Sequence, residues 1–363
     1  MNEKSILIVG GYGVVGGQIA QLLREKYPTL PIAIAGRNVE KATEFANDLR
    51  NAKAVQLDVV SRESFAQIEE SYSLVISVVN DPNNYLLDYA IEHEIALIDI
   101  TRWPEKFHEA VENIKQKQVK APIILSSGWM AGLLSLCAKM YAEELSHVEQ
   151  ININALYSLK DKAGPNSVEY IDQLTKPFTV GANEKKKTVM PLTDPVTVQF
   201  PSGYKTKTYR MDTPDHVTLP LKAKTDDVNF RITFDNELSM KGLLFLVKTK
   251  IWKLMSGDRF TSIRRSVLYH PGSGGPHEVV IDIEGTDKTG KAIKREITLL
   301  DPNGQTHLTT VAVVLQAIKI IEHPNWPGNL YFPEQFPETF ENIRPFVETW
   351  LATNKITLTV KDN

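Results

Sequence analysis

Ser5-Ile-Leu-Ile-Val runs directly into Gly10-Gly-Tyr-Gly-Val-Val-Gly-Gly, and no other stretch of this 363-residue chain restricts its folding as much. A continuous apolar run is what a strand buried on both faces requires, and such strands belong to parallel sheets. The glycines after it carry the spacing G-x-G-x-x-G at Gly11, Gly13 and Gly16. That spacing is informative only between a strand and a helix. A helix is expected here from Val14 to Lys26, so the condition is met. Gly11 is expected to permit the tight turn, Gly13 to let the backbone approach a pyrophosphate, and Gly16 to bring helix and strand into close packing. The amides of Tyr12, Val14 and Val15, with the helix dipole behind them, then favour phosphate charge.

The segments that follow keep alternating. Strands are expected at Pro31–Ala35, Ala54–Leu57, Leu74–Val79, Ile95–Ile100 and Pro122–Leu125. Helices are expected at Val39–Leu49, after Ser61, at Asn83–His93 and from Pro104 to Lys117. Proline suits the first turn of a helix, which places Pro104. Six strands alternating with five helices imply a doubly wound parallel sheet with right-handed crossovers, a Rossmann domain over residues 1–128.

Beyond it the pattern changes. Leu133–Leu145 has helical spacing, and from Val148 the strands lengthen and alternate. Asp227–Phe234, Glu278–Ile283 and Lys294–Leu299 read as strands of a mostly antiparallel sheet with one wetted face. His307–Ile321 is an apolar helix, expected with the helix around Leu243 to cover part of that sheet. The reading is therefore α/β: the Rossmann domain, a second α+β domain over 129–322 for substrate and dimer contacts, and a C-terminal strap and helix over 323–363.

The end of the second strand bears on the cofactor. An acid there would bind the ribose hydroxyls of NAD, and this chain has Ala35-Gly-Arg-Asn instead. Arg37 suits a 2′-phosphate, through paired hydrogen bonds and stacking on adenine, and Lys41 one turn later adds charge. Both also read as solvated surface residues. NADP(H) is accordingly favoured over NAD(H), with Asn38 and Asp58 as further candidates for the cofactor site.

These residues resemble the NADP-binding domain of the saccharopine dehydrogenase-like oxidoreductases. Val78-Val-Asn-Asp-Pro stands where that family has a strand-end loop beside the cofactor, which implies a cofactor role for Val79 and Asn80. Ala96-Leu-Ile-Asp-Ile-Thr is similar to its Asp-hydrophobe-Ser/Thr element, and Ser127-Gly-Trp-Met-Ala-Gly-Leu to the start of its second domain. Arg102-Trp103 and Met130-Ala-Gly depart from the family's Gly-Glu and Asp-Pro-Gly. The resemblance implies hydride transfer to or from a small amino-acid-like or imine substrate. The departures keep a second reading open, a non-enzymatic NADP(H)-binding sensor or scaffold.

Ligands of doubly wound folds sit beyond the carboxyl ends of the strands, where Asp99-Ile-Thr-Arg-Trp ends the fifth strand. Asp99 is a candidate general acid/base, or a carboxylate binding loop amides. Arg102 is a candidate clamp for a substrate carboxylate, or one half of a surface salt bridge. Trp103 and Trp129 are candidate pocket walls, or ordinary packing. The single cysteine, Cys137, reads as a core residue, and no metal site is expected although His270 and His277 flank one loop. Lys241–Met255 reads as a basic amphipathic helix, either packed on the second sheet or resting weakly on a membrane surface. A net charge of −3 gives no reason to expect nucleic acid. No apolar run is long enough to span a bilayer and no signal peptide is evident, so a cytoplasmic location is expected. A homodimer formed mainly through the second domain is expected to cover what remains exposed of its sheet.

Overall fold

The computed structural model describes residues 5–68, 71–100, 102–161, 170, 173–223, 225–254, 260 and 274–362. The chain divides into two compact units: 1–133 with 309–343, and 134–308 with 344–363. The expected third segment, 323–363, is thus shared between them.

The first unit is built on β1 (Ser5–Val9), β2 (Ile32–Gly36), β3 (Ala52–Gln56), β4 (Tyr72–Ser77), β5 (Ala96–Asp99) and β6 (Pro122–Leu125). They lie in the order β6-β5-β4-β1-β2-β3, all parallel, with the chain reversing its direction of travel across the sheet at β1. Ile6, Leu7 and Ile8 are wholly buried, each contributing roughly 1.5–3 kcal/mol by leaving water. Helices α1 (Val14–Lys26), α2 (Val39–Leu49), α3 (Tyr85–Glu92) and α4 (Pro104–Lys115) make the crossovers, and a 3-10 helix at Arg62–Gln67 replaces the helix expected after Ser61.

A seventh strand, Asn329–Tyr331, extends this sheet beside β6, with Leu330 against Ile123. It lies inside the expected strap. Just beyond it, Lys319 of the long helix Gln305–Glu322 is fully buried and donates to the carbonyls of Pro333 (2.6 Å) and Gln335 (2.8 Å). Residues 309–322 of that helix group with the first unit.

The second unit holds another seven-stranded sheet. Its order is Val196–Gln199, Lys205–Arg210, Val228–Phe234, His147–Tyr157, His277–Thr286, Ala292–Asp301, Thr357–Asp362. Neighbours are antiparallel except Val228–Phe234 beside His147–Tyr157, where Phe230 faces Ile153 in parallel register. Ala292–Asp301 alternates in burial as expected, but Val228–Phe234 does not have a wetted face. Asn229, Arg231 and Thr233 are buried alongside Phe230. The two arginines bind their polar neighbours: Arg210 donates to Asn229 and Asp194, and Arg231 donates to Asn152 (2.9 Å) and Asp194 (3.1 Å).

Candidate active site

The glycine turn forms where β1 ends. Gly10 has φ +83°, so the left-handed residue is Gly10 rather than Gly11. Gly11 is needed for close approach, since a Cβ there would lie 2.9 Å from the Ile8 carbonyl oxygen. Gly16 is stricter: its Cβ would lie 2.2 Å from the Gly10 carbonyl oxygen, the helix–strand contact the spacing predicted. Gly13 is the N-cap of α1, is exposed, and offers no side-chain cap to the first amides of the helix. The first turn of α1 also carries no acidic residue. A helix start left in this way presents backbone donors and the positive end of the dipole to an anion.

Tyr12 turns across the sheet edge to β2. Its hydroxyl accepts from the Asn38 amide at 3.2 Å, and its ring lies against Gly36 where a side chain would not fit. Arg37 and Lys41 stand exposed beside it, and no acid occupies the strand end. The Asn38 side chain accepts from the Lys41 amide at 2.8 Å and so caps α2. Asp58 lies past β3, where its carboxylate accepts from the Val60 amide at 3.2 Å. Val79 and Asn80 follow β4, partly buried.

Asp99 ends β5 at 1 % exposure, beside the equally enclosed Arg102. Arg102 donates through Nε to Asp99 Oδ2 at 2.6 Å and through Nη1 to Asn84, while Nη2 lies 3.4 Å from Asp81 Oδ2. Asp81 Oδ2 also accepts from the Leu87 amide at 3.0 Å, which ties the network to the first turn of α3. Burial raises the Asp81 carboxyl above the usual carboxylate range, against the pull of Arg102. The expectation of a surface salt bridge is corrected by this burial. Arg102 as a clamp for a substrate carboxylate meets a plain difficulty, because its guanidinium is already engaged on three sides. Asn84 was not foreseen. Its sequence signal is weak, an asparagine just before a helix, a residue type that tolerates the left-handed φ of 60° found here.

Trp103 is the N-cap of α4 and partly buried; Trp129 is 6 % exposed and opens a kinked turn whose Ala131 has φ 57°. Cys137 is fully buried, and burial pushes its thiol up to about 12, which keeps it protonated. His270, Thr101 and Met255 lie outside the described residues. Among the described residues no cluster of three or more His, Cys, Asp or Glu side chains is arranged to hold a metal, and no helix is long and apolar enough to cross a membrane.

Comparison with known proteins agrees with this geometry. Residues 6–125 match the family model described as the saccharopine dehydrogenase NADP binding domain. Among solved structures, apo histidine-tagged saccharopine dehydrogenase (L-Glu forming) from Saccharomyces cerevisiae aligns over 99 % of this chain and 100 % of its own, with a TM-score of 0.66 and 13 % identity. That likeness shows a shared fold. A meso-dapdh mutant with DAP from Clostridium tetani aligns over 95 % of this chain and 98 % of its own, with a TM-score of 0.47 and 13 % identity. No curated protein matches the chain.

Proposed function

We propose that this chain, whose residues 6–125 match the saccharopine dehydrogenase NADP binding domain, is a dehydrogenase or reductase that moves hydride between NADP(H) and a small amino-acid-like or imine substrate. The observation that carries the reading is the end of β2: an exposed Arg37 and Lys41, with no acid in the position that would bind ribose hydroxyls. The turn from Gly11 through Gly16, with Tyr12, Val14 and Val15, would hold the pyrophosphate. Arg37 and Lys41 would hold the 2′-phosphate, while Asn38 orients them by capping α2. Asp58, Val79 and Asn80 border the remaining cofactor surface.

Bound in this way, the cofactor supplies or accepts the hydride. The protein's part is to orient it and to keep the strand ends rigid. Asp99 and Arg102 are positioning residues in this reading, because their mutual bond and the contacts to Asp81 and Asn84 fix the β5 exit against α3. Trp103 and Trp129 are the proposed apolar walls for the substrate. The second unit supplies the surface of a homodimer in this reading.

Calorimetric titration tests the cofactor assignment. Arg37→Ala should weaken NADPH by roughly 1.5–3 kcal/mol, the worth of charged hydrogen bonds, and leave NADH nearly unchanged. Equal losses for the two cofactors would remove the proposed preference. The substrate class is tested by NADPH consumption with mixtures of 2-oxo acids and amino acids, which form imines in solution. Tight NADPH binding without consumption across such a panel would overturn the imine reading.

A further inference from the structure

The helix Glu237–Lys248 and the short helix Ile251–Leu254, both of the second unit, have an inner side that the core explains. Met240, Leu243 and Trp252 are buried with Leu174 and Leu192, and Leu244, Leu246 and Val247 pack against them. The outer side has no such explanation. Leu238, Phe245 and Leu254 are 78 %, 60 % and 77 % exposed. With ~3.6 residues per turn, Leu238, Gly242, Phe245 and Thr249 fall on one line along the first helix, with Lys241 and Lys248 flanking it. Lys250 and Lys253 continue the basic edge past Ile251.

Charge and shape together narrow the partner. Between Glu237 and Leu254 there are four lysines and one acid, Glu237, which pairs with Lys241 at 2.8 Å. This local excess of positive charge stands out in a chain of net charge −3. The apolar side chains stand outward on a ridge, so a rigid partner would need a matching groove, whereas lipid chains conform to any convex shape. Lysine stems can lie along apolar surface while their ammonium groups reach a phosphate plane. We propose that this ridge rests on the anionic surface of a lipid bilayer. Leu238, Phe245 and Leu254 enter the boundary between headgroups and acyl chains, and Lys248 and Lys250 meet lipid phosphates. No described helix is suited to cross a membrane, so the contact is interfacial.

The experiment is sedimentation of the full chain with vesicles of phosphatidylcholine alone and of phosphatidylcholine mixed with phosphatidylglycerol. Binding is expected to the mixed vesicles and to weaken with added salt. A Leu238→Ser, Phe245→Ser, Leu254→Ser variant should lose it. A Lys248→Glu, Lys250→Glu variant should lose roughly tenfold or more in affinity. These positions are exposed, so circular dichroism, NADPH affinity and the mass in solution should stay unchanged. The proposal is overturned if the mixed vesicles do not sediment the protein, or if neither variant weakens the binding. It is equally overturned if the apolar variant changes the mass in solution, which would assign the ridge to a second copy of the chain.

Discussion

Arg102 is held by partners that come from three different places in the chain: Asp99 three residues away, Asn84 at the start of α3, and Asp81 in the loop before it. Removing one member of a buried charged set leaves the others in a poor solvent, at a cost of about 3–5 kcal/mol. Arg102→Ala should therefore destabilise the first unit by that order in urea unfolding, and Arg102→Lys should recover only part of it, because an ammonium lacks the planar fork. A loss well under ~1 kcal/mol for Arg102→Ala, the size typical of exposed pairs, would show that the network holds nothing. Gly13 gives the opposite kind of prediction. It has an ordinary φ of −78°, and a Cβ there would meet only the Gly10 carbonyl oxygen, at 3.1 Å. Gly13→Val should fold and yet lose NADPH, because its added carbons occupy the approach to the first amides of α1. Unchanged affinity in calorimetry, with an unchanged circular dichroism spectrum, would place the phosphates elsewhere.

At the scale of elements, period and caps explain what was legible. Val14–Lys26 and Val39–Leu49 begin and end where their pattern does, and the Asn38 side chain provides the N-cap of the latter. Asn329–Tyr331 was not legible, because three residues between proline-rich segments carry no period and the strand exists only through its pairing with β6. The strand His277–Thr286 carries a pH dependence of its own. His277 is fully buried, packed edge-on against Tyr157 at 5.3 Å, and burial lowers its pKa from 6.5 to about 3. The unfolded chain takes up this proton near 6.5 and the folded chain does not. The contribution to stability is thus complete above pH 6.5 and is lost as the pH falls toward 3, at up to ~1.4 kcal/mol per pH unit. Urea unfolding at neutral pH and at about pH 5 should show the loss, and His277→Gln should flatten it. An identical acid slope in both proteins would assign the effect to other groups.

For the whole molecule, each unit has a sheet of its own, and the edges of the second sheet, Val196–Gln199 and Thr357–Asp362, carry mostly exposed residues. An open edge invites a symmetric second copy. A homodimer through the second unit is therefore expected in light scattering at micromolar concentration, and a monomeric mass would rule it out. Sequence alone determined the doubly wound fold and the place of its glycine turn. Those depend on local requirements: an apolar strand, glycines where side chains would strike the backbone, and a helix that begins without a side-chain cap. Only the tertiary structure decided that Arg102 faces inward onto Asp99, Asp81 and Asn84, and that Arg210 and Arg231 close the polar face of the second sheet through Asp194. The same holds for the parallel strand recruited from the tail. The physical reason is common to all three: a buried charge or an unpaired strand takes its partner from whatever the fold brings within a few ångströms, and separation along the chain does not encode that distance.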